Sequence, residues 1–153
     1  MNYLDVQIAT NVKDYPSEQT FQHWIDTVLS DQCQDSEVVI RLVDDMESAQ
    51  LNQQYRHKTG PTNILSFPFE APEGIEMDLL GDLVICAPLI AKEALQQHKI
   101  LEHHWAHITI HGILHLLGYD HIEDGEAEEM EALEIKFLNM LNIANPYQEV
   151  SAQ

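Results

Sequence analysis

The segment HGILHLLGYDH, residues 111 to 121, places His111, His115 and His121 within eleven positions, with Gly118 between the last two. Residues four apart on a helix share a face, with β-carbons about 5–6 Å apart, so His111 and His115 can reach one ion together. Glycine takes the left-handed conformation that ends a helix and turns the chain back. Gly118 is therefore placed to stop the helix and let the following turn bring His121 to the same ion. Three imidazoles with an open fourth position make a catalytic zinc centre; a structural one adds a fourth ligand, usually cysteine, and none is near. One Zn2+ per chain is expected, although nickel, copper and iron also accept imidazole. The alternative is a set of unrelated histidines on a half-buried helix. The chain has nine, and His98, His103, His104 and His107 crowd the same region. Without a metal, however, three buried imidazoles would each need a hydrogen-bond partner.

The same spacing occurs in the metzincin proteases as H-E-x-x-H-x-x-G-x-x-H, where the glutamate is the general base. Here that position is Gly112. The metal would be held as in those proteases, but their base is gone. Asp120 and the acids after His121 are the available replacements, and a supporting or surface role suits them better.

The elements that must carry these residues follow from periodicity. Strands are expected over 3–10, 37–45, 62–70 and 79–88, with Pro68 marking an edge strand or a strand end. Helices are expected after Ser17, which can cap one, and over 45–58, 87–99, 100–118 and 124–141. Gly60 and Pro61 are expected to stop the second helix. The fourth is apolar almost all round, so it belongs in the core. The result is an α+β fold: a single mixed sheet of about four strands with helices packed on it, and the metal site at the end of a central core helix. The 153 residues suit one domain, and the tail NPYQEVSAQ is expected to fray.

Net charge is −19, from 26 acids against 7 bases, which on its face disfavours nucleic acid and leaves no reason to expect DNA binding. The charge is uneven. Residues 123–134 carry seven acids and no base, whereas residues 48–69 carry Arg56 and Lys58 and no acid, so a small anion-accepting patch is allowed. No apolar run is long enough to cross a membrane, and the N-terminal residues do not read as a signal peptide. Cys33 and Cys86 form no CxxC pair and are expected as reduced thiols, so a cytoplasmic location follows.

Three blocks, HGILHLLGYDH, YRHKTGPTNILSFPFE and LLGDLVICAP, together resemble the YbeY family of bacterial endoribonucleases and rRNA maturation factors. The resemblance implies a metal-dependent, single-strand-specific endoribonuclease. It implies action on ribosomal RNA, chiefly at small-subunit ends, with a part in ribosome quality control and contacts to the ribosome or its proteins. By position, His111, His115 and His121 match the family's zinc ligands, Arg56 its functional arginine, and Ser66 falls in its LSFP block. The segment between the arginine and the PT dipeptide, HKTG, is less basic than the family pattern leads one to expect.

Arg56 would then neutralise the scissile phosphate, since a guanidinium fork pairs two phosphate oxygens at once. The competing role is a solvated charge favoured at a helix end. His57 and Lys58 extend the patch. Thr62, Asn63 and Ser66 could donate hydrogen bonds to RNA, or Thr62 and Asn63 could simply satisfy the turn. Phe67 and Phe69 could stack on bases, though core packing is the simpler role. The run GEAEEMEALEIKF reads as a solvated helix face that could dock a basic ribosomal protein. Two other readings stay open: a non-catalytic ribosome assembly factor with a structural metal, and a metal-dependent hydrolase with a non-RNA substrate.

Overall fold

The computed structural model describes residues 2–31, 36–69, 74, 79–119 and 124–147. Four strands, β1 (Tyr3–Ile8), β2 (Glu37–Val43), β3 (Ile64–Pro68) and β4 (Leu79–Cys86), form one sheet in the order β1-β2-β4-β3. The first three neighbours in that order run parallel, and β3 runs antiparallel to β4. The sheet is therefore mixed, with β3 as one edge, and Pro68 ends that edge strand as expected.

Five helices pack on the sheet: α1 (Glu18–Val28), α2 (Asp45–Arg56), α3 (Ala87–Gln96), α4 (Leu101–Leu116) and α5 (Asp124–Met140). Ser17 caps α1 by accepting the Thr20 backbone N–H at 3.1 Å. The period-2 alternation of the strands splits the apolar residues between two faces. Ile40, Leu42, Ile64, Leu83 and Ile85 face the main core with α1, α4 and α5. Val43, Leu65, Val84 and Cys86 face a smaller core closed by Leu51 of α2 and Leu89 of α3.

Helix α4 is the hub, touching β3, β4, α1, α3 and α5. Eleven of its sixteen residues are buried, which is why its sequence is apolar nearly all round. Gly112 lets it sit this close to the sheet: a β-carbon there would lie 2.5 Å from Ile64 Cδ1 and 2.8 Å from Leu83 Cδ2.

Two expectations need correction. Helix α2 ends at Arg56, ahead of Gly60, because His57 itself takes the left-handed conformation, φ 57°. The acidic run of α5 is not wholly solvated, since Glu134 is completely buried beside Met130, Phe137 and Leu138. Of the tail, residues 145–147 are described, with the Tyr147 backbone N–H held by Asn145 Oδ1 at 2.8 Å, and the rest lies outside the described residues.

Candidate active site

The last turns of α4, the end of α2 and strand β3 enclose an open cleft of about 800 Å³. Arg56, Thr62, Asn63, Ser66, Phe67, His111 and His115 all line it, so most of the residues singled out in the sequence meet in one place. His57 and Lys58 follow Arg56 on the exposed turn and do not line the cleft. His121 lies outside the described residues, as does Asp120.

Helix α4 ends through the glycine that the spacing picked out. Gly118 has φ 104°, its N–H bonds to the His115 carbonyl at 3.0 Å, and the Tyr119 N–H bonds to the Leu114 carbonyl at 3.1 Å. This pair of bonds defines a Schellman cap. It leaves His115 on the final turn, directly above His111. The two Nε2 atoms lie 3.0 Å apart. Two imidazoles 2.0–2.1 Å from one tetrahedral ion would have nitrogens about 3.3 Å apart, so the pair is close to the spacing a shared metal requires. Among the described residues no group of three such ligands converges.

Behind the pair stands Glu134. Its Oε1 accepts from His111 Nδ1 at 2.5 Å, its Oε2 accepts from the Tyr147 hydroxyl, and His107 Nε2 lies 3.8 Å from Oε2. Burial alone would push this carboxyl up. Its interactions with His107, His111 and Tyr147 outweigh that and hold it down at about 2, so it is ionised. An ionised carboxylate only accepts, so His111 carries its proton on Nδ1 and presents the Nε2 lone pair towards the cleft. Burial and the Glu134 charge push the Tyr147 phenol up, which keeps it a donor, and burial lowers the pKa of His107. His107 Nε2, 3.2 Å from the Tyr147 oxygen, then donates to it.

The wall formed by α2 is fixed by two buried polar side chains. Ser48 Oγ donates to the Thr62 carbonyl at 2.8 Å and accepts its N–H at 3.0 Å. Asn52 Nδ2 donates to the Gly60 carbonyl at 2.8 Å. These bonds fold the turn after Arg56 back onto its own helix. Among the described residues Arg56 has no carboxylate partner, whereas Arg41 is gripped by both oxygens of Glu47 at 2.6 and 3.0 Å. Asn63 is more committed: its amide nitrogen sits 3.2 and 3.4 Å from the two Glu93 oxygens. Ser66 Oγ is 3.5 Å from the Gly112 carbonyl, a weak contact that leaves it available. Phe67 packs edge-on against Tyr55, 5.0 Å between centroids, and both rings line the cleft. Tyr55 is 55% exposed, and Phe69 is exposed rather than in the core.

No carboxylate lines the cleft among the described residues. At the position of the protease base, a glutamate would be driven between Ile64 and Leu83 of the core. Sequence reasoning missed Glu134 and Tyr147. The helical period does set Glu134 on the stripe of Met130, Phe137 and Leu138, and a charge at an apolar position was a readable signal. Tyr147 gave no local signal.

The fold is similar to the solution structure of TM1509 from Thermotoga maritima, with TM-score 0.59 and 24% identity over 97% of this chain and 99% of that one. The family model described as endoribonuclease YbeY matches residues 4–142, nearly the whole chain. With the cleft, the histidine pair and Arg56 all inside the matched span, the chain belongs to the YbeY endoribonuclease family.

Proposed function

We propose that this protein is a zinc-dependent endoribonuclease that cuts single-stranded ribosomal RNA, chiefly at the small-subunit 3′ end, in rRNA maturation and ribosome quality control in the cytoplasm. The observation that carries the reading is the sharing of one cleft by the His111–His115 pair and an arginine without a carboxylate partner among the described residues. His111, His115 and His121 would hold the ion, and the donor set fits it: neutral imidazoles, one with its Nε2 lone pair fixed by a carboxylate behind it. Zinc bound there would polarise a phosphoryl oxygen and acidify bound water.

The protein's own residues supply the rest. Arg56 pairs with the scissile phosphate and offsets the charge that grows on it. RNA brings its own nucleophile in the 2′-hydroxyl, so a cleft with no carboxylate among its described residues suits RNA better than peptide. Tyr55, edge-on to Phe67, offers a face on which an unpaired base can stack, which favours single strands. Ser66 can donate to a phosphate or sugar oxygen. Asn63, its amide nitrogen engaged by Glu93, can still offer its side-chain carbonyl oxygen. His57 and Lys58, on the turn outside the cleft, suit phosphates further along the strand. The exposed Glu126, Glu128 and Glu129 of α5 suit a basic ribosomal protein, through which so acidic a chain is brought to RNA.

The test is cleavage of a single-stranded ribosomal RNA fragment by wild type, His115→Ala and Arg56→Ala, with metal content measured on each. Expected are cutting by wild type, loss of both metal and cutting in His115→Ala, and retained metal with much slower cutting in Arg56→Ala. Equal cutting by all three would mark a contaminant and put the non-catalytic assembly factor first.

A further inference from the structure

The polar groups that the cleft chemistry does not use gather behind it. Asn145 Oδ1 takes the Tyr147 N–H and bends the chain so that the phenol reaches under α4. The ring stands edge-on to His107, 5.4 Å between centroids at 84°. Its hydroxyl accepts from His107 and donates to Glu134 Oε2, while Glu134 Oε1 takes the proton of His111. Each hydroxyl and carboxylate oxygen in this chain has a partner, and the direction of donation is fixed from His107 outward.

We propose that Glu134 and Tyr147 are positioning residues that lock His111 in a single tautomer and ring orientation, presetting its Nε2 for a metal before any ion arrives. Glu134 acts directly, and Tyr147 acts through it. Without the phenol, Glu134 Oε2 would lose its strongest donor in a fully buried place, since His107 is 3.8 Å away. The carboxylate would turn to recover a partner, and Oε1 would leave His111. The imidazole could then hold its proton on either nitrogen, and the Nε2–H form cannot bind a metal through the nitrogen that faces the cleft. A C-terminal segment whose described residues do not line the cleft thereby sets the affinity of the site.

This rests on the reading of His111 as a metal ligand, and the experiment separates the two. Zinc affinity is measured by competition with a chromophoric chelator for wild type, Glu134→Gln, Tyr147→Phe and His115→Ala. Glu93→Gln is included because it disturbs a second carboxylate–histidine pair on the same helix. The His111 tautomer is read from ring 15N shifts in the metal-free proteins, and thermal melts report the fold. Expected are a loss of about 10–100-fold in zinc affinity for Glu134→Gln, and a smaller loss for Tyr147→Phe. Both should show mixed His111 tautomers, whereas Glu93→Gln changes neither affinity nor tautomer. Unchanged affinity and a single tautomer in both variants would overturn the proposal even if His115→Ala loses zinc. If wild type binds no zinc, the metal reading falls and the tautomer decides: a mixture in the variants upholds the lock, and one form refutes it. Should Glu134→Gln not fold, Tyr147→Phe, which keeps the ring, carries the test.

Discussion

Two carboxylate–histidine pairs on helix α4 differ in which ring nitrogen is tied. In the first, Glu93 Oε1 holds His104 Nε2 at 2.9 Å, and the remaining Nδ1 is buried without a partner among the described residues. In the second, Glu134 holds His111 Nδ1, and the remaining Nε2 faces the cleft beside His115. Tying the outer nitrogen of a helical histidine turns the ring into packing. Tying the inner one points the lone pair outward, where a ligand can use it. Residue types are the same in both; the side from which the acid approaches leaves one ring in the packing and turns the other towards the cleft.

The sharpest way to break this comparison is to delete each ring. His111→Ala should abolish RNA cleavage with the fold retained, because the ring is 22% exposed and borders a cavity. Comparable residual cutting in this variant would erase the distinction. Next in size, Arg56→Ala should slow cleavage by about 10²–10³-fold, and Arg56→Lys should recover only part of it, as for other charge-clamping donors. His104→Ala belongs to the other class. It should lower stability by about 1–3 kcal/mol in urea melts by stranding Glu93, while cleavage by the folded protein stays near wild type.

Gly112→Ala probes the packing that holds both pairs in register. Its new methyl would meet Ile64 and Leu83, themselves buried, so about 1–3 kcal/mol of stability should be lost. A smaller effect concerns acid. Burial raises the Glu93 carboxyl, but hydrogen bonds from His104 and Asn63 and the nearby Lys99 charge outweigh that and hold it below its ordinary 4.5. A carboxyl depressed in the folded state contributes stability above about pH 4.5 that is lost as pH falls through the folded value. The stability gap between wild type and Glu93→Gln should therefore narrow below that pH. A gap that stays constant would mean the pair is not ionic.

Much of this was legible beforehand. The four strands, the buried α4 and the Gly118 cap follow from local periodicity and from a conformation that glycine adopts without penalty. Helix ends were less legible: His57 and His98 take positive φ where a glycine was the expected signal, at φ 57° and 54°. The candidate site was half legible. His111 and His115 are neighbours on one helix, so a four-residue spacing is enough to pair them.

Arg56, Glu134 and Tyr147 come from separate elements, and a local pattern carries no information on how those elements dock. The sequence alone determined which residues could share a helix face, where that helix had to stop, and that a protease base was missing. Only the tertiary structure decided that the α2 terminus meets the α4 terminus across a cleft, that Gly112 is filled by the sheet, and that Glu134 lies behind His111 rather than in water. The physical reason is that helical period and turn chemistry act over a few residues. The side from which an acid reaches an imidazole depends on contacts between residues 11 and 23 positions apart, on different elements.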